Sequence, residues 1–172
     1  MLEAGMAALL LFAHLAALEE STVARGASRA EPEGLLRCSL GGIRVLVVDD
    51  DEEMRDVLTA LLGAAGADVR AAASATEARA TLASWWPSVL LSDIGMPGED
   101  GYELIRAVRR SADRRGRVLP AAALTAHVED EDRRRAFTAG YQAHLPKPID
   151  PDALIGLVAR LVEGDSGVSR QH

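Results

Sequence analysis

Aromatic residues are scarce: two Trp, two Tyr and two Phe make up 3% of a chain of 172 residues. A core built almost without rings must be filled by Val, Leu, Ile and Ala, which suits helices laid against a sheet. Cysteine is scarcer still. The single Cys38 excludes an internal disulfide framework and a cysteine-based zinc cluster. Basic residues are outnumbered, 19 against 26 acidic, for a formal net charge of −7. That balance argues against nucleic acid as the main partner, because phosphate backbones select basic patches. The apolar stretch Met6 to Leu18 is 13 residues long and broken by His14, short of the roughly 18–20 that span a bilayer. It has Glu3 where a secretory leader would carry Lys or Arg. A soluble cytoplasmic protein without membrane insertion is expected. Lysine is the last shortage: of 19 basic residues only Lys147 is a lysine. Arg is a flat fork and Lys a compact charge on a slim stem, so Lys147 marks a candidate site for a point charge.

What is present changes character near residue 43. Residues 1–42 read as an N-terminal extension: a short apolar helix at most, then a mixed Gly-, Ser- and Glu-containing linker over 19–42. From Ile43, strand and helix signals alternate. IRVLVV (43–48) is a continuous β-branched run, as in a strand buried on both faces. Met54, Leu58, Leu61, Leu62 and Ala65 recur at helical spacing, with Gly66 as the stop. DVRAA (68–72), VLLS (89–92), LPAAAL (119–124) and Ala143–Leu145 read as further strands. Helices are expected over Glu77 to Trp86, Tyr102 to Arg110, about 129–139, and from Asp150 and Pro151 onward, with a loose tail over 164–172. Five βα units in one domain, 43–163, imply a doubly wound parallel sheet with helices on both faces.

Such sheets bind ligands beyond the carboxyl ends of their strands. Asp49, Asp50 and Asp51 follow the first strand, Asp93 follows the third, Thr125 the fourth and Lys147 the fifth. The fold would bring carboxylates, a hydroxyl and an ammonium into one pocket. Crowded carboxylates call for a cation, and oxygen donors in an open shell suit Mg2+. A carboxylate oxygen there can take a phosphoryl group as a nucleophile, with the ammonium and hydroxyl binding the phosphoryl oxygens.

The segments VLVVDDDEEM, LLSDIGMPGEDGYEL, ALTA and HLPKP resemble, in order and spacing, the response-regulator receiver domain of two-component signalling. The resemblance implies a flavodoxin-like (βα)5 fold with strand order 2-1-3-4-5. It implies Asp93 as phosphoacceptor and Asp49 with Asp50 as the acidic pair. Asp50, Asp93 and the carbonyl of Gly95 would hold Mg2+, with Asp49 acting through water. Lys147 and Thr125 would contact the phosphoryl group, and the Lys147–Pro148 bond would be cis. Thr125 and the strand-five residue His144, three before Lys147, would form the switch, with Tyr141 at the preceding turn. His127 would border the site.

By this resemblance the chain takes a phosphoryl group from a histidine kinase or histidine phosphotransfer protein. It would signal to a downstream protein through the face formed by helix four, strand five and helix five. It would not be an enzyme beyond phosphorylating itself from phosphodonors and dephosphorylating itself. No DNA-binding output domain is expected, and the chain would be either a free regulator or the receiver of a hybrid histidine kinase. Two alternatives are a pseudo-receiver that binds protein without phosphorylation, and a Mg2+-dependent phosphohydrolase.

Overall fold

A computed structural model describes residues 39–116, 118–126 and 130–166. The apolar run 6–18 and His127 lie outside them. Strands β1 (Arg44–Val48), β2 (Asp68–Ala72), β3 (Val89–Asp93), β4 (Ala121–Thr125) and β5 (Ala143–Pro146) alternate with helices α1 (Glu52–Ala64), α2 (Ala75–Ser84), α3 (Gly101–Arg115), α4 (Asp130–Ala139) and α5 (Pro151–Ser166). The strands form one parallel sheet in the order 2-1-3-4-5, the expected flavodoxin-like arrangement. None of the described helices is long and apolar enough to cross a membrane.

Every residue of β3 and β4 is buried, as continuous apolar strands between two helical layers must be. On one face of β4 the small Ala121 and Ala123 share a buried cluster with the larger Tyr102, Tyr141, Leu104 and Ile105. Local capping fixes the helix starts. Asp51 caps α1 by accepting from Glu53 N at 2.9 Å and Met54 N at 3.4 Å. Ser74 caps α2 by accepting from Glu77 N, while the Glu77 carboxylate accepts from Ala73 N, and a reciprocal capping box of Asp100 with Glu103 opens α3.

Several boundaries differ from those expected of the sequence. The domain begins upstream of Ile43: Leu40 is fully buried and its amide donates to the Ala65 carbonyl at 2.8 Å. Helix α2 starts at Ala75 and ends at Ser84, because Trp85 is extended (φ −140°, ψ 106°). Its ring lies under the guanidinium groups of Arg44 and Arg70, at 5.6 and 4.7 Å from the ring centre, and Trp86 precedes Pro87, which disfavours helix. Helix α3 runs to Arg115 and stops at Gly116, φ +63°. Helix α5 continues through Gly164 to Ser166.

One glycine decides how closely β3 and α3 approach. A Cβ on Gly101 would lie 2.4 Å from the Asp93 carbonyl oxygen and 2.9 Å from Ile94 Cα. Both obstacles are backbone, so the contact cannot be relieved by a side-chain rotation. Gly101→Ala should therefore destabilise the domain by about 2 kcal/mol or more in urea unfolding. An unchanged midpoint would contradict this packing.

Candidate functional site

At the end of β1 the chain turns through Asp49, Asp50 and Asp51. Asp49 is 1% exposed and Asp50 is exposed. Asp49 Oδ1 accepts from the Asp51 amide at 3.0 Å, which holds the carboxylate against its own loop. Arg55, one turn into α1, donates through Nη1 to the carbonyls of Asp49 at 2.8 Å and Asp50 at 3.0 Å. The guanidinium ties the acidic loop to α1.

Asp93 ends β3 and is 7% exposed. Thr125 ends β4, is equally buried, and follows Leu124, the ladder partner of Asp93. Lys147 leaves β5 with its amide donating to the Thr125 carbonyl at 2.8 Å, and the Lys147–Pro148 bond is cis. The Lys147 ammonium lies between two carboxylates, 2.8 Å from Asp49 Oδ2 and 2.9 Å from Asp93 Oδ1. Burial alone would lower the Lys147 pKa. Hydrogen bonds and charge from Asp49 and Asp93 outweigh burial and raise it, so the ammonium keeps its proton throughout the neutral range.

Asp49, Asp50 and Asp93 each offer a carboxylate oxygen within 4.8 Å of the other two. Three carboxylates against one ammonium leave the cluster anionic, and all its donors are oxygens. That chemistry fits a hard divalent cation such as Mg2+ rather than zinc or copper. Gly95 belongs to the same place, since a Cβ there would stand 3.5 Å from Asp93 Oδ2.

The structure thus brings Asp49, Asp50, Asp93, Gly95, Thr125 and Lys147 together at one end of the sheet. His144 sits apart, half-buried on β5 opposite Ala123. Its ring meets Phe137 of α4 edge-on at 6.3 Å. Two participants are not evident from sequence pattern. Arg55 carries no signal beyond its helix position. Ser92, fully buried in β3, donates through Oγ to the Asp93 carbonyl at 2.9 Å; its only hint is a polar residue inside an apolar strand.

Comparison with known proteins follows the same residues. Positions 45–159 match the family model described as the response regulator receiver domain. An uncharacterised 14.6 kDa protein of Leptolyngbya boryana, from the sodA1 3′ region, is 45% identical over 120 residues, 70% of this chain and 90% of that protein. The DNA-binding transcriptional regulator NtrC of Salmonella typhimurium is 40% identical over 118 residues, 69% of this chain and 24% of NtrC. The chain therefore spans about a quarter of NtrC's length. Among solved structures, the chemotaxis protein CheY4 of Vibrio cholerae aligns with a TM-score of 0.65 at 30% identity, covering 69% of this chain and 98% of that one. Family pattern, strand order and sheet-end geometry agree, and the chain belongs to the response regulator receiver domain family of two-component signalling.

Proposed function

We propose that this receiver accepts a phosphoryl group on Asp93 from a phosphohistidine of a histidine kinase or histidine phosphotransfer protein. The observation that carries the reading is the Lys147 ammonium held between Asp49 and Asp93, at 2.8 and 2.9 Å. An Asp93 carboxylate oxygen attacks phosphorus, and the donor's P–N bond breaks. The electron pair leaves with the imidazole nitrogen, which takes up a proton from solvent, and Asp93 becomes an acyl phosphate. The ammonium has three donors, so Lys147 can stay anchored on Asp49 while it turns toward the phosphoryl oxygens. Thr125, buried beside it, supplies a hydroxyl to the same group. Asp50, Asp93 and the Gly95 carbonyl, with Asp49 acting through water, would hold Mg2+, which would supply positive charge against the phosphoryl oxygens. Attack of water on phosphorus later releases inorganic phosphate and restores the carboxylate. Apart from this self-modification the domain turns over no substrate.

The signal leaves through a protein-binding face formed by α4, β5 and α5. Inward movement of the Thr125 hydroxyl would vacate space for His144, whose ring now rests on the exposed Phe137. The domain organisation that fits takes the receiver of 43–163 from Leu40 to the end of α5 at Ser166, with an N-terminal extension before it and a short tail after it. The cytoplasm, where phosphohistidine donors reside, is the compartment this reading requires.

Two measurements test the reading. Incubation with acetyl phosphate and Mg2+ should add the mass of one phosphoryl group. Asp93→Asn should abolish the gain, and Lys147→Met should slow it roughly tenfold or more; no gain in the folded wild type would overturn the proposal. Mg2+ at about a hundred times its dissociation constant should stabilise the fold by about 2.7 kcal/mol, and Asp50→Asn should remove most of that gain. Equal stabilisation of the two proteins would place the cation elsewhere.

A further inference from the structure

The loop that joins β3 to α3 closes on a narrow neck. Ile94 N donates to the Leu124 carbonyl at 3.1 Å, and Gly101 N donates to the Ile94 carbonyl at 3.1 Å. Between these residues the loop carries Gly95, beside the Asp93 carboxylate. A side chain from a distant part of the sequence is fastened to this neck. Tyr141, in the turn between α4 and β5, is 3% exposed and donates its phenolic proton to the Gly101 carbonyl at 2.8 Å. A Cβ on Gly101 would come within 3.1 Å of the same phenol oxygen. On the β3 side, the buried Ser92 hydroxyl donates to the Asp93 carbonyl at 2.9 Å, the same carbonyl that a Cβ on Gly101 would crowd. Burial pushes the phenol's pKa up, so it remains a donor at any working pH.

The phenol belongs to the same buried cluster as Tyr102, Leu104, Ile105 and Ala136, where no solvent replaces a lost partner and each hydrogen bond counts for more than at the surface. Its bond to Gly101 joins the neck of the Gly95 loop to the α4–β5 turn, and neither Thr125 nor His144 takes part in it.

We propose that Tyr141 is a positioning residue. Its phenol fixes the neck of the β3–α3 loop, and so sets the Gly95 backbone and the Asp93 carboxylate for a divalent cation. The inference rests on the phosphoacceptor reading above and adds a residue to it. A space-filling role would need only the ring; a positioning role needs the hydroxyl, and Tyr141→Phe separates the two.

The experiment follows the backbone amides of Gly95 and Gly101 by NMR while Mg2+ is titrated into wild type and Tyr141→Phe, with thermal unfolding in parallel. Loss of one buried hydrogen bond, expressed in the loop, should raise the Mg2+ dissociation constant about threefold to tenfold. Phosphorylation from acetyl phosphate should then need correspondingly more Mg2+ while reaching the same final extent at saturation. If Tyr141→Phe does not fold, Ser92→Ala frees the Asp93 carbonyl on the β3 side of the same neck and should shift the constant in the same direction. A lower unfolding temperature with an unchanged Mg2+ constant would overturn the proposal and leave Tyr141 a packing residue. A wild type that binds Mg2+ at these amides but is never phosphorylated would instead overturn the phosphoacceptor reading.

Discussion

The site depends on one ammonium group placed between two buried carboxylates. At about 2.9 Å and an effective dielectric near 20, each Lys147–carboxylate contact is worth roughly 5–6 kcal/mol in Coulomb energy. Desolvation takes back several kcal/mol per ion, and Asp49 and Asp93 repel each other. The net stabilisation is therefore modest, while the consequence for arrangement is large. Asp49 at 1% exposure is tolerable as an anion because the lysine is there. Strand order makes the requirement sharper: β5 lies beyond β4 from β3, and beyond both from β1. With strands about 4.8 Å apart, the side chain must reach across the end of β4, where the short Thr125 leaves it room. A slim stem with a compact charge meets that demand better than a planar fork.

The surrounding core keeps this geometry from drifting. With so few aromatics, each described ring has a definite place. Tyr141 bonds to the start of α3, and Arg135 lies 5.0 Å over the Tyr102 ring, joining α4 to α3. Arg109 plays a similar part with charge, donating to the carbonyls of Gly140 at 2.8 Å and Leu119 at 2.6 Å, and to the Gln142 side chain at 2.9 Å. Helix α3, which begins just after the loop beyond Asp93, is thus pinned along its length to the α4–β5 turn. An exposed ion pair, Arg79 with Glu99, adds a screened tether between α2 and that loop.

Much of this is legible in the residues themselves. Continuous apolar runs mark the buried strands, and polar residues at their carboxyl ends mark the cluster, because side-chain type there is set by chemistry rather than packing. A lone lysine among arginines singles out Lys147 by composition alone. Boundaries are less legible where tertiary contacts outweigh local preference. Trp85 reads as helical but leaves the helix to stack beneath Arg44 and Arg70. Leu40 reads as linker but is buried near the end of α1. Arg55, and the bond that Tyr141 makes, are hidden for a different reason. Their roles come from what they meet, a loop carbonyl and the first residue of a helix 40 positions away, and no spacing along the chain encodes those meetings.

The central claim is chemical: Asp93, rather than its acidic neighbours, carries the phosphoryl group. Borohydride reduction distinguishes them, because an aspartyl phosphate is reduced to homoserine while free carboxylates are untouched. Treating the acetyl-phosphate-exposed protein with borohydride and mapping its peptides by mass spectrometry should find homoserine at position 93 alone. Homoserine at 49 or 50, or none in a sample shown to be phosphorylated, would contradict the account.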